Sequence, residues 1–311
     1  NQADNSSTLD SQDFTVFGNI ANDASLFILD TIAGLPTFTF EGLSNFPLLN
    51  YTSGRTVTDS NYLYVNSIAP ITPVDTAPGV VNAATSVSNT TTGISPGEFI
   101  TIYGKELGPT ALTSLALDSS GQTVTNNLQG TQVLFNGIPG PMIFTSTGQI
   151  AAIVPYGIAG GSTVNVVVSY LGIQTAPLQF KVVPANPGLF TLSATGKGDA
   201  AIVRASDGSV VSVSSPAAVG DTLELYGQGY GAVSNGFGDG ALVTAAFTVP
   251  NTTLLIDGQK VDTSYTGCAG DGVNGEMQIN FVVPQLTPGN HQIQIQVGSA
   301  ISPSGVTLQT N

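Results

Sequence analysis

Charged side chains are scarce in this sequence. Asp, Glu, Lys and Arg make up 8% of its 311 residues, against about 25% in an ordinary globular protein. Six basic residues stand against 20 acidic ones, which gives a net charge of −14, and the basic residues form no cluster. Nucleic acids and anionic lipid surfaces are bound through clustered Lys and Arg. The composition therefore predicts that the chain binds neither.

Tryptophan is absent, and cysteine and histidine occur once each, as Cys268 and His291. A single thiol cannot form an intrachain disulfide. A zinc site needs three or four ligands, so we predict that His291 is simply exposed and that no metal or cofactor is bound. No apolar run approaches the ~20 residues of a membrane-spanning helix. The chain starts at Asn1 without a methionine, and we expect a processed or truncated product of a secreted precursor, located outside the cell or at its surface.

A long repeat dominates what is present. The stretch SPGEFITIYGKELGP (95–109) returns as AVGDTLELYGQGYGA (218–232). In both copies a Gly precedes an acid, Glu98 or Asp221, and a period-2 apolar run leads to Tyr-Gly. We predict that the acid starts the strand by hydrogen bonding in the turn. Segments downstream also repeat at a changed spacing, which indicates a duplicated domain rather than a short solenoid repeat.

Each copy of the repeat divides into short apolar segments separated by Gly, Pro and Asn-Gly turns. About seven short strands in roughly 100 residues are typical of an immunoglobulin-like sandwich. We therefore predict an all-β chain, with tandem immunoglobulin-like β-sandwich domains at 76–184 and 185–311 after a small N-terminal β segment (1–75) with one helix. The predicted strands of the first domain are 80–85, 99–104, 131–137, 142–146, 149–155, 163–172 and 178–183. Those of the second are 200–205, 209–214, 222–227, 254–258, 261–267, 276–284, 291–298 and 305–310.

Two short patterns match sites of known chemistry. GISPG (93–97) fits the nucleophile elbow G-x-S-x-G, but Pro96 has no backbone N–H for an oxyanion hole. GQGYGA (227–232) fits a dinucleotide-binding pattern, but no helix follows to face a pyrophosphate. The acids near Cys268 lack the spacing of a calcium loop, and the thiol is predicted to be buried or in a loop, with an intermolecular disulfide as the alternative. We therefore identify no catalytic, cofactor-binding or metal-binding residue and predict that the chain is not an enzyme.

Three stretches near the N-terminus are LDSQDFTVFGNI (9–20), DTIAGLP (30–36) and YLYVNSI (62–68). They resemble the C-terminal portion of a cyclophilin-type peptidyl-prolyl isomerase. The resemblance implies an incomplete barrel without isomerase activity, because the catalytic Arg, Gln and Phe of that family lie upstream of the matched part. The elements expected in this segment are a helix (23–35), a loop carrying Phe38, Phe40 and Phe46, a strand (61–71) and a proline-rich linker (69–79).

The duplicated part carries VVNAAT (80–85), SPGEFITIYGKELGP (95–109), PGLF (187–190) and GEMQINFVVP (275–284) in this order. These motifs resemble the Solibacter-type (acidobacterial) C-terminal domain family of secreted proteins. The resemblance covers most of the chain. It implies secretion and a pair of β-sandwiches, and it brings no catalytic residue.

Tandem sandwiches of very low charge, preceded by a segment that cannot complete its own barrel, are typical of an assembly protein. We predict an extracellular structural subunit that assembles head to tail into a filament or surface layer by β-strand addition, so that its partners are copies of itself. The donated strand is predicted within 8–18, with the C-terminal strand 305–311 as the alternative donor. Its predicted assembly residues are Leu9, Phe14, Val16 and Phe17.

A secreted adhesion or carbohydrate-binding module remains the alternative function, with glycans as partners. The loops at the ends of sandwiches serve this purpose in many proteins. Phe38, Phe40 and Phe46 are candidate sugar-stacking residues, although they fit a core equally well. A prolyl isomerase is the third hypothesis, and the missing catalytic half argues against it.

Overall fold

Short β-strands form nearly all of the regular structure in the computed structural model of this chain. Two compact units are present, one around residues 34–62 and the other holding most of residues 79–311. The larger unit contains both copies of the repeat, each folded as an immunoglobulin-like sandwich, so the predicted all-β fold is confirmed. No helix among the described residues has the length and apolar character required to span a membrane. The described residues are 34–62, 79–234, 236–268, 270 and 272–311.

The smaller unit is built around a β-hairpin of β1 (Thr37–Phe40) and β2 (Leu43–Pro47). Glu41 adopts a φ of 48° and Gly42 a φ of 86°. Positive φ at both central residues is the geometry of a tight two-residue turn, which matches the twist of the flanking strands. Leu48, just after the hairpin, is buried.

The prediction of a loop around Phe38, Phe40 and Phe46 is wrong, because all three residues lie in the strands of this hairpin. The alternation Thr-Phe-Thr-Phe was the period-2 signal of a strand. Asn61, the first residue of the predicted strand 61–71, ends a 3-10 turn instead. Residues that lie outside the described part are most of the predicted helix (23–35) and linker (69–79), the rest of the predicted strand (63–71), and Leu9, Phe14, Val16 and Phe17.

The first copy of the repeat forms a sandwich of two sheets. Its elements are β3 (Val80–Asn82), the single-turn helix α1 (Asn89–Thr92), β4 (Phe99–Tyr103), β5 (Thr113–Ser114), β6 (Thr131–Phe135), β7 (Ile138–Gly140), β8 (Met142–Thr145), β9 (Gln149–Ile153), a 3-10 turn (Tyr156–Ile158), β10 (Thr163–Tyr170), β11 (Ile173–Gln174) and β12 (Leu178–Lys181). One sheet has the strand order β3-β4-β9-β8-β5. In the other sheet β6 lies between β7 and β10, and β12 pairs with β10.

Alternating side chains of both sheets meet in the core of this sandwich. In β6 the residues Thr131, Val133 and Phe135 are buried while the two between them are partly exposed. Ile100 and Ile102 of β4 join Val133 and Phe135 in one hydrophobic cluster. Burial of one face with the other left accessible is the pattern expected of antiparallel sandwich strands.

The second copy forms an equivalent sandwich. Its strands are β13 (Gly188–Leu189), β14 (Gly198–Asp199), β15 (Ile202–Arg204), β16 (Thr222–Gln228), β17 (Phe247–Thr248), β18 (Thr252–Ile256), β19 (Gln259–Val261), β20 (Thr263–Cys268), β21 (Glu276–Val282), β22 (Gly289–Val297), β23 (Ala300–Ile301) and β24 (Val306–Thr310). One sheet has the order β13-β16-β21-β20-β17, and the other has β14-β24-β22-β18-β19. Strand β15 also pairs with β16, as β3 pairs with β4 in the first sandwich.

The prediction that His291 is exposed is wrong, because its residue is 7% exposed. His291 stands in β22 at the same phase of the alternation as Ile293 and Ile295, and all three are buried. The sequence feature that indicates the burial of His291 is therefore this alternation, which directs every second side chain toward the core.

The prediction of a strand at 209–214 is also wrong. Only isolated bridges occur there, from Val210 to Val203 and from Ser212 to Ser215. Val213 is 72% exposed. Val211 packs in the core, but Val213, two residues on, is exposed. The alternation therefore breaks within the segment, and no continuous ladder forms.

Candidate functional site

The repeated turn holds its acid in the same place in both sandwiches. Oε2 of Glu98 accepts a hydrogen bond of 2.7 Å from the backbone N–H of Ser95. Oδ2 of Asp221 accepts one of 2.9 Å from the backbone N–H of Ala218. The prediction that the acid starts the strand by hydrogen bonding in the turn is confirmed. Ser95 is fully buried and its hydroxyl donates to Glu98, which agrees with the prediction of a structural turn at 93–97.

Glu98 is a fully buried acid that receives four hydrogen bonds. Besides the two from Ser95, Oε1 accepts from Nδ2 of Asn89 at 2.8 Å and from Nδ2 of Asn186 at 2.9 Å. Burial raises the pKa of this carboxyl to about 7, and the hydrogen bonds oppose that rise. The donors occupy the acceptor positions of the carboxyl oxygens and offset part of the cost of burying its charge.

Asn186 belongs to the segment that connects the two sandwiches, so its bond to Glu98 is part of a wider junction. Nδ2 of Asn82 in turn donates to the backbone oxygen of Asn186 at 3.0 Å. Gln228, at the end of β16 in the second sandwich, is fully buried against the first. Its Oε1 accepts from the N–H of Phe99 at 2.6 Å, and its Nε2 donates to the carbonyl of Phe99 at 3.0 Å and to Oδ1 of Asn82 at 2.8 Å.

Glycines bring the backbones at this junction unusually close. A Cβ atom at Gly229 would lie 2.0 Å from the carbonyl oxygen of Asn186, and one at Gly231 would lie 1.8 Å from that of Pro184. Both glycines also have φ near +80°, which disfavours other residues. The pattern GQGYGA is therefore a structural turn, as predicted, and its glycines seat the connecting segment.

A second set of contacts joins the sandwiches through their loops. The backbone N–H of Tyr156 donates to Oδ1 of Asp239 at 2.7 Å. The hydroxyl of Tyr156 lies 3.3 Å from that of Tyr230. Val124 donates to the carbonyl of Gly240 in a strand-like pairing of two loops. The junction thus contains backbone, side-chain and close-packing contacts.

A cleft of about 430 Å³ opens beside this junction, on the outer face of the sheet that contains β4 and β9. Thr101 of β4 and Ala151 of β9 are small, pair with each other across the sheet and face the cleft. They form its floor, while the residues on either side of them in the strands belong to the core. The aromatic residues that line the cleft are Phe99, Tyr103, Phe144 and Phe190.

The polar groups of the cleft carry little charge. Ser86, Thr101, Tyr103 and Gln149 contribute neutral hydroxyl and amide groups, and Glu276 of the second sandwich is the acid. Burial raises the pKa of Glu276 above its usual value. No Lys or Arg among the described residues lines the cleft.

The other ionisable groups singled out in the sequence are engaged within the second sandwich. The thiol of Cys268 is 1% exposed and donates to the carbonyl of Val273, and burial raises its pKa to about 12. This burial favours the predicted buried thiol over the alternative, an intermolecular disulfide. No group of three or more metal-ligating side chains occurs in the part of the chain that the structure describes.

His291 is paired on both ring nitrogens. Nδ1 lies 2.6 Å from Oδ2 of Asp257, and Nε2 lies 2.8 Å from the carbonyl oxygen of Thr287. Both partners are acceptors, so the geometry fits the doubly protonated ring. These bonds raise the pKa of His291, and the bond from His291 lowers the pKa of Asp257.

In a comparison with known protein families, residues 84–182, most of the first sandwich, match the IPT/TIG domain. No curated protein matches the chain significantly. Among solved structures, SGBP-B of the Bacteroides ovatus mixed-linkage glucan utilization locus, in complex with a heptasaccharide, is 15% identical, with 73% of this chain and 45% of that one covered and a TM-score of 0.30. The surface glycan-binding protein PbSGBP-B from Prevotella bryantii is 14% identical, with 74% and 41% covered and a TM-score of 0.22.

Domains 5–6 of the S-layer protein SbsC are 12% identical, with 76% of this chain and 97% of that one covered and a TM-score of 0.25. The chain spans less than half the length of the glycan-binding proteins that it matches.

Proposed function

We propose that the chain is an extracellular structural subunit whose copies join head to tail into a filament or surface layer. The observation that carries this proposal is the junction between the two sandwiches. The side chain of Gln228 in the second sandwich hydrogen-bonds to Phe99 of the first, and the close contact at Gly231 seats the connecting segment 184–187. Two sandwiches fixed in this way transmit force as one body, which a subunit of a filament requires.

Strand β12 lies at the edge of its sheet, and Leu178 and Gln179 at its start are exposed. The carbonyl of Lys181 accepts from the N–H of Ile94 on the outer side of this strand. Backbone groups in an antiparallel strand alternate between the two sides, so Gln179 directs its N–H and carbonyl to the same outer side. Leu178 is 36% exposed beside it. We propose this edge as the acceptor for a strand of the next copy.

The donated strand is proposed within residues 8–18. Leu9, Phe14, Val16 and Phe17 are its apolar residues, and such side chains fill pockets while the backbone supplies the affinity in β-strand addition. A contact between two different surfaces does not close on itself unless the rotation completes a ring, so repetition produces a filament. The resemblance of the duplicated part to a family of secreted proteins supports a location outside the cell.

Negative-stain electron microscopy of the purified full chain tests this function, with filaments or regular sheets as the expected result. Deletion of residues 1–20 is expected to abolish them. Gln179→Pro removes the outward N–H while the bonds from β12 to β10 remain. This variant is also expected to abolish the filaments or sheets. Gln179→Ala keeps the backbone N–H and serves as the matched control. A chain that stays monomeric at every concentration, or filaments unaffected by both the deletion and Gln179→Pro, would contradict the proposal.

A further inference from the structure

We propose that the cleft over β4 and β9 is a binding site for a neutral oligosaccharide. Its volume of about 430 Å³ falls in the ~300–1,000 Å³ range of ligand sites. The cleft has a different place and chemistry from the sheet edge proposed for assembly, so either proposal can fail without the other.

Small residues on the outer face of the sheet form the floor of the cleft. Thr101 and Ala151 face outward between core residues, and both are nearly inaccessible although they lie on the outer face of the sheet. Phe99 and Phe190 stand at one end, with ring centroids 6.4 Å apart and planes tilted by 32°. Tyr103 is at the other end of β4. Small residues between larger rings leave a depression along the strand.

The aromatic rings supply flat apolar surfaces. The face of a sugar ring that carries C–H groups packs against such surfaces, and aromatic residues contribute large contact areas at low entropic cost. Tyr103 is 39% exposed, and its ring is therefore accessible to a ligand. Phe144 of β8 flanks the floor on the opposite side from β3.

The polar groups of the cleft are available to a ligand. The side chains of Ser86, Tyr103 and Gln149 are accessible and make no hydrogen bond to another described residue. They offer hydroxyl and amide groups, each of which both donates and accepts. An apolar site with a few such groups matches a molecule that has hydroxyl groups around an apolar ring.

Charge selects against other ligands. Without Lys or Arg in its lining the cleft has no partner for phosphate, sulfate or uronic acid groups. The raised pKa of Glu276 disfavours the charged carboxylate that would be needed to hold a cation. A neutral oligosaccharide fits both restrictions.

Isothermal titration of the full chain with cellohexaose, xylohexaose and mannohexaose, followed by a neutral-glycan array, tests the site. Oligogalacturonate is the charged comparison. We expect binding of at least one neutral oligosaccharide and none of oligogalacturonate. Tyr103→Ala and Ala151→Phe, which respectively remove a ring and fill the floor, are expected to weaken binding at least tenfold.

Tyr226→Ala is the matched control, because Tyr226 holds the position of Tyr103 in the second copy of the repeat and lies outside the cleft. It is expected to bind as the unaltered chain does. Unchanged melting temperatures show that the cleft variants remain folded, and Tyr103→Ala decides the outcome if Ala151→Phe does not fold. The proposal is overturned if no neutral oligosaccharide binds, or if binding survives Tyr103→Ala unchanged.

Discussion

Asn186 donates a hydrogen bond of 2.9 Å from its Nδ2 to Oε1 of Glu98. This bond connects the segment between the sandwiches to the turn that opens β4. Because Glu98 is fully buried, the free energy of its ionisation is coupled to the integrity of the junction. The stability of the junction should therefore depend on pH.

Glu98→Gln should reduce this pH dependence. The pKa of Glu98 rises from 4.5 to about 7 on folding, so between these values the folded chain holds a proton that the unfolded chain lacks. Stability then falls as pH rises through this window. With about 1.4 kcal/mol for each pKa unit, the loss from Glu98 between pH 4.5 and 7 is up to about 3 kcal/mol. Urea unfolding at pH 4.5 and pH 8 measures it.

In Glu98→Gln most of this difference should disappear. The remainder comes from His291 and Glu276, whose pKa values are also raised and which act in the same direction. A variant that keeps the full difference between pH 4.5 and pH 8 would show that Glu98 is not the coupled acid.

Gly231→Ala should destabilise the chain by about 3 kcal/mol or more. The added Cβ would lie 1.8 Å from the carbonyl oxygen of Pro184, so the connecting segment must move. Gly208→Ala is the matched control, because Gly208 also has positive φ but open space around it, and it should cost only about 1–2 kcal/mol. Thermal unfolding of both variants measures the difference, and equal losses would contradict the role given to Gly231.

Gln228→Ala should cost about 2–4 kcal/mol, because the partly buried N–H of Phe99 loses its partner, while the carbonyl of Phe99 keeps its hydrogen bond from the N–H of Ala83. It should also separate the unfolding of the two sandwiches, which we expect to occur in one transition in the unaltered chain. Differential scanning calorimetry detects both effects. Gln278→Ala, on the neighbouring strand of the same sheet, is the control and should change stability by less than about 1 kcal/mol.

Asp257→Asn should lower the pKa of His291 toward its ordinary value. The hydrogen bond to Asp257 is the largest cause of the raised pKa of the imidazole. The stabilisation that comes from the raised pKa of His291 is complete below pH 6.5 and is lost as pH rises through the raised pKa. Titration of the imidazole by NMR measures the shift. His291 is the single histidine, so its signal is unambiguous, and an unchanged pKa in Asp257→Asn would refute the assignment.

The alternation of side chains predicted the sandwich strands well, because one face of each strand is buried and the other is not. Strand β22 begins two residues before its predicted range 291–298 and ends one residue before the end of that range. The same alternation placed His291 in the core phase. The prediction of an exposed His291 rested on the absence of companion metal ligands, which does not bear on the position of the residue in the alternation.

Partners that are distant along the chain could not be predicted from it. Gln228 and Phe99 are separated by 129 residues, and no local pattern links them. The glycines of 227–232 were recognised as structural, but the carbonyl groups that they approach belong to another segment. The cleft likewise requires the second sandwich to place Phe190 and Glu276 beside β4. In the segment 209–214 the alternation breaks down, because Val211 is buried in the core while Val213, two residues on, is exposed.

The acids of the two turns differ in their partners. Asp221 takes its second partner from its own sandwich, as Nε of Arg204 lies 3.3 Å from Oδ2 of Asp221. Arg204 pairs with β16 where Asn82 pairs with β4. The first sandwich thus relies on a residue that follows it, while the second satisfies its turn internally. The duplicated domains are consequently not interchangeable: a chain with their order reversed would leave Glu98 without Asn186, so the sequence encodes a direction as well as a fold.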